Sequence, residues 1–131
     1  MKSNFLVGIL VGVIAVGVLA AVIFSDRLTV SPSAPLANVS LVDGVQVIDI
    51  SARGGYFPAK TIAQAGVPTL LRVNTSNTFD CSSALRIPSL GINKNLPPSG
   101  VTEIPLGSPE SGVIQGVCSM GMYSFAIDFQ S

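Results

Sequence analysis

Two hydrophobic patterns divide the chain. From Phe5 to Phe24, twenty consecutive residues carry neither a charge nor a proline, with Lys2 before them and Asp26–Arg27 after. Twenty residues of helix span about 30 Å, the thickness of a bilayer's hydrocarbon layer, so a single transmembrane helix is expected here. From Val45 onward the pattern changes. Short β-branched runs alternate apolar and polar positions and are broken by Gly, Pro and Asn, with no ten-residue stretch of 3.6 period.

This second pattern predicts strands at Val45–Ala52, Lys60–Gln64, Thr69–Asn74, Ser83–Ile87, Val101–Leu106, Val113–Cys118 and Tyr123–Phe129. The last is the clearest: Tyr123, Phe125, Ile127 and Phe129 share one face, and Ser124, Ala126 and Asp128 the other. Pro105 has no N–H to donate, so the fifth run is expected at a sheet edge. Ile92–Leu96 reads as a short helical turn. About seven strands in ~90 residues predict an all-β sandwich behind the membrane helix. Tyr56, Phe57, Phe79, Phe125, Ile127 and Phe129 are the expected core, and Arg53, Arg72 and Arg86 the solvated strand edges.

Three parts follow from these patterns: an anchor over residues 1–27, a linker over 28–44 and a domain over 45–131. The linker is rich in Ser, Pro and Ala and nearly uncharged, as a tether would be. Lys2 and the amino terminus favour a cytoplasmic N-terminus, which puts the domain in the periplasm or outside the cell. A cleaved signal peptide has a shorter apolar core and a small-residue cleavage site, so an uncleaved anchor is expected. Gly8 and Gly12 form one G-x-x-x-G, read here as ordinary membrane-helix glycine. Asn38-Val39-Ser40 fits the glycosylation acceptor pattern, relevant only on a eukaryotic secretory route.

Composition narrows the chemistry. The chain of 131 residues has 7 basic and 7 acidic side chains and no histidine. That excludes Ser-His-Asp and Cys-His catalysis, His-ligated zinc or haem, and an imidazole pH switch. No basic stripe is present to displace counterions from phosphate, so nucleic acid is not an expected partner. No base–nucleophile pair is visible either, and a non-enzymatic role is expected.

Sulfur is what remains. Cys81, Cys118, Met120 and Met122 lie in the domain, three of them within Cys118-Ser119-Met120-Gly121-Met122. If the last two strands form a hairpin, this segment is its loop, and Cys81 precedes the fourth strand at the same end of a sandwich. Two thiolates and one or two thioethers form a soft donor set, which selects Cu(I) over calcium or magnesium. A carboxylate at Asp80, if close, raises the Cys81 thiol's pKa.

Tyr56-Phe57-Pro58, then Ile62, then Ala65-Gly66-Val67-Pro68 resemble the opening strands of cupredoxin-like domains. Asp80-Cys81-Ser82 through Ile87-Pro88, followed by Cys118-Ser119-Met120-Gly121-Met122-Tyr123, resemble a branch found in bacterial membrane and periplasmic proteins, some attached to copper-transporting ATPases. The resemblance spans residues 45–131 and implies a cupredoxin-like Greek-key β-sandwich. By it, Cys118 is the cysteine ligand, Cys81 stands where a first histidine ligand would be, and Met120 or Met122 supplies the thioether. Blue-copper sites use two histidines, and this chain has none. The implied role is therefore holding Cu(I) for copper handling or delivery, in a colourless site, rather than electron transfer. A copper-transporting or respiratory membrane protein is the implied partner.

Two alternatives use the same cysteines. Cys81 and Cys118 can form a structural disulfide in a metal-free ectodomain that serves as a protein-interaction subunit, since exported cysteines commonly pair. They can also form a redox-switching dithiol. An oxidised pair cannot offer two thiolates, so copper and disulfide compete directly.

Overall fold

A computed structural model describes residues 38–131. The expected membrane helix, the Gly8/Gly12 pair and the linker as far as residue 37 lie outside the described residues. Among the described residues no helix is long and apolar enough to cross a membrane.

Among the described residues, period-two alternation builds ten strands: β1 (Val39–Val42), β2 (Val45–Ala52), β3 (Tyr56–Phe57), β4 (Lys60–Gln64), β5 (Thr69–Thr75), β6 (Ala84–Ile87), β7 (Ile92–Asn95), β8 (Gly100–Gly107), β9 (Gly112–Cys118) and β10 (Ser124–Gln130). One sheet has the order β1-β2-β5-β8, with β3 against the end of β2. The other has the order β4-β10-β9-β6-β7. The pairs β2/β5 and β4/β10 are parallel and the rest antiparallel. A parallel pair needs a crossover. The chain supplies one by leaving the first sheet after β3, adding β4 to the second, and returning as β5.

The inner faces of the two sheets close on one core. Ile48, Ile50, Leu71, Val73 and Ile104 come from the first sheet, and Leu85, Ile87, Phe125, Ile127 and Phe129 from the second. In β10 the inward set is Phe125, Ile127 and Phe129, as the alternation predicts. Tyr56 on β3 reaches the second sheet, its ring edge-on to Phe125 at 5.1 Å and 68°. The far end of the sandwich is joined through the buried Gln46 side chain. Its amide donates to Gln64 O and Thr69 Oγ1, and its carbonyl accepts from Gln64 N. The all-β expectation holds at this level of two packed sheets.

Several expectations are corrected. Residues 39–42, read as tether, form an edge strand, because Asp43 (φ 50°) and Gly44 (φ 79°) make a two-residue hairpin turn that folds β1 back on β2. Asn38 donates its amide to Thr61 Oγ1 at 2.8 Å and Asp49 O at 3.2 Å, so the group a glycan would use is engaged within the fold. Ile92–Asn95 is a strand paired with β6 and not a helical turn; the turn falls earlier, at Pro88–Leu90, where Pro88 opens it and Gly91 (φ 64°) ends it. Phe57 and Phe79 are not core, being 61% and 78% exposed. Tyr56 takes the inward position of β3, which turns its neighbour outward, and Phe79 precedes the Cys81 turn outside any strand. Pro105 does lie on an edge strand, β8, beside a register shift opposite Thr69 and Leu70.

Candidate functional site

The end of the sandwich opposite Gln46 carries the sulfur cluster. Cys118 is the last residue of β9, and Leu85 of β6 pairs beside it. Cys81 opens the 3₁₀ turn Cys81–Ser83 that leads into β6. Antiparallel pairing of β6 with β9 therefore carries two cysteines 37 residues apart to a Cα–Cα separation of 5.8 Å, and they form a disulfide.

A hydrogen-bond scaffold fixes the Cys81 turn. Asp80 caps it, its Oδ1 accepting from Ser82 N at 2.8 Å and from the Ser82 hydroxyl. Its Oδ2 accepts from Gly54 N at 2.8 Å, tying the turn to the β2–β3 connection. Tyr56 Oη donates to Ser82 O at 3.0 Å from inside the core. Ser119 N donates to Ala84 O at 2.9 Å and links the two cysteine segments. The Asp-x-Ser spacing around Cys81 is the sequence signal for this capped turn.

The Cys118–Tyr123 hairpin loop is equally tight. Gly121 N donates to Cys118 O at 2.9 Å, with Gly121 at φ 72°, a conformation that favours glycine. Cys118 N donates to Tyr123 O, and Tyr123 N donates to Cys118 Sγ at 3.4 Å. Cys118 is 1% exposed, whereas Met120 and Met122 are 76% and 65% exposed. Methionine is usually buried filler; here both thioethers stand in solvent within four residues of Cys118. Among the described residues no three His, Cys, Asp or Glu side chains cluster as a metal site.

The fold is shared with the metal binding domain of a copper exporter. That domain, of the Streptococcus pneumoniae D39 Cu(I) exporting P-type ATPase CopA with Cu(I), matches with a TM-score of 0.65 and 25% identity. The match covers 71% of this chain and 93% of that one. A copper binding protein in the apo form matches with a TM-score of 0.65 and 21% identity, over 70% of this chain and 94% of that one. No family model and no curated protein matches the sequence.

These findings correct the cupredoxin resemblance. The two similar structures are described as a metal binding domain and as a copper binding protein, neither as a cupredoxin, and the strand order does not establish a cupredoxin Greek key. The physical reason lies in what the shared residues encode. A C-x-M-G-M-Y segment specifies a tight hairpin loop and a donor set, and Tyr56-Phe57-Pro58 a short strand and a turn. Neither specifies how the strands are ordered.

Electrostatics at this end centre on Asp80. The Ser82 hydroxyl, then Ser82 N and Gly54 N, hold its carboxyl below the ordinary carboxylate value, against a smaller opposing effect of burial. Tyr56 moves the other way: burial first, then the Asp80 charge, push its phenol up to about 12. A carboxyl with a depressed folded-state pKa stabilises fully above its unfolded value. That contribution drains away as pH falls through about 4 and on through the folded value. Urea midpoints between neutral and strongly acidic pH are therefore expected to fall on acidification more in the wild-type chain than in Asp80→Asn. Equal acid sensitivity in the two would remove Asp80 from this role.

Proposed function

We propose that this chain is a membrane-anchored, exported copper-handling protein whose domain, once the Cys81–Cys118 pair is reduced, holds Cu(I). Cys81 and Cys118 supply two thiolates, and Met120 or Met122 the thioether. The role is binding and delivery, not catalysis, with a copper-transporting or respiratory membrane protein as recipient.

One observation carries this reading: two cysteine sulfurs are brought together beside two solvent-exposed methionines of one loop. The donor set fits the ion, because thiolate and thioether are the soft ligands that favour Cu(I). Similarity to the metal binding domain of a Cu(I) exporter supports the same assignment. Copper is the cargo in this role, and the disulfide must first gain two electrons, because only thiolates ligate.

The test uses the reduced full chain, loaded anaerobically with Cu(I) and challenged with a chromogenic Cu(I) chelator. Wild-type protein is expected to retain copper. Cys118→Ser is expected to lose more affinity than the roughly 10–100-fold typical of outer-shell changes. Met120→Leu and Met122→Leu are expected to differ, the ligand being the one whose loss weakens retention. Unchanged retention in Cys118→Ser would sink the assignment.

The disulfide itself favours a second reading, a stapled ectodomain that contacts another protein without metal. The two part on the reduced wild-type chain, which on this reading retains no copper against the chelator.

A further inference from the structure

The two halves of the disulfide have different surroundings. Cys118 belongs to the buried core cluster, and its sulfur accepts the Tyr123 N–H. Cys81 packs against that cluster from its margin and is partly exposed. Disulfides open when a thiolate attacks one sulfur and displaces the other. The buried side admits no such approach; the marginal side does.

We propose that Cys81 is the sulfur at which exogenous thiols open this disulfide, with Cys118 always the leaving group. An incoming thiolate donates its electron pair to Cys81 Sγ, forming a mixed disulfide. The Cys81–Cys118 bond breaks and its pair departs on Cys118 Sγ. The Tyr123 N–H already points at that sulfur, and hydrogen bonds to sulfur strengthen as charge develops on it. A second thiol then attacks the mixed disulfide and releases Cys81 as a thiolate. The pair gains two electrons, the two thiols become one disulfide, and their protons end on the cysteines or in solvent. Cys81 is thus a site for reversible thiolation by small thiols, independent of whether the reduced pair takes copper.

The experiment uses the oxidised, metal-free full chain, exposed briefly to glutathione, quenched with a maleimide and mapped by peptide mass. Glutathione on Cys81 with maleimide on Cys118 is expected to exceed the reverse pattern by about tenfold or more, as accessibility governs thiol reactivity. Adducts on Cys118, or equal amounts on both, overturn the proposal. So does a disulfide that glutathione opens only after denaturation. In a second measurement, the lone thiol of Cys118→Ala is expected to react with an aromatic disulfide at least about tenfold faster than the lone thiol of Cys81→Ala. Equal rates in folded variants also overturn it, and if either variant fails to fold the wild-type map decides.

Discussion

Phe125→Ala is expected to lower the unfolding free energy by about 3–5 kcal/mol. The ring is buried near the start of β10, edge-on to Tyr56, and it lies over Gly116, its partner across the β9–β10 pair. Gly116 has no unusual φ. Its lack of a side chain is steric, because a Cβ there would run into Cε1 and Cζ of Phe125. Ring and notch are therefore one packing unit. Removing the ring leaves a cavity between the sheets, a large fraction of the roughly 5–15 kcal/mol that holds a domain folded. Filling the notch with Gly116→Ala is expected to cost about 1–3 kcal/mol by overpacking. In the Phe125→Ala background the same change is expected to cost almost nothing, because the clash has gone. Urea denaturation of the four proteins measures this; strictly additive costs would show that ring and notch are not coupled. Should Phe125→Ala fail to fold, Phe125→Leu carries the same cycle.

Reduction of the Cys81–Cys118 bond is expected to lower stability by about 3–4 kcal/mol. The bond closes a loop spanning 37 residues, and freeing it returns chain entropy to the unfolded state. Urea midpoints with and without reductant read this directly, and coincident curves would mean that the pair does not staple the fold. The two serine variants are not equivalent. Cys81→Ser sits at a partly exposed turn and is expected to match the effect of reduction. Cys118→Ser also puts a hydroxyl into the core, which costs about 1–3 kcal/mol more unless it finds a partner. Equal losses would mean that Cys118 is less enclosed than its surroundings indicate. On the proposed copper-holding role, loading must accommodate the same loss, since the thiolates become available only when the staple opens.

Much of the strand pattern was legible locally. Val45–Ala52 and Lys60–Gln64 form strands with the bounds read from the sequence, and the inward face of β10 is the one its alternation marks. Pro105 at an edge followed from its missing N–H alone. The misreadings have separate causes. Val39–Val42 was assigned by composition, although Asp43-Gly44 is a strong hairpin signal. Ile92–Asn95 is mostly polar and becomes a strand only because β6 offers it a ladder. Hydrophobicity alone points Phe57 and Phe79 inward, but strand phase and loop position turn them out.

The residue types at the candidate site were also legible, since the absence of histidine and the presence of two cysteines with two nearby methionines need no fold to be read. The strand order was not, since a loop motif constrains a turn and says nothing about how strands are arranged. Local pattern was enough for an all-β domain and its strand faces, because both follow from spacing within a few residues. Tertiary structure alone decided that β6 lies beside β9, that Cys81 meets Cys118 in a disulfide, and that Cys118 is the enclosed partner. Those outcomes depend on contacts between segments 37 residues apart, where the free energy of burying a shared core, and no local preference, selects the pairing.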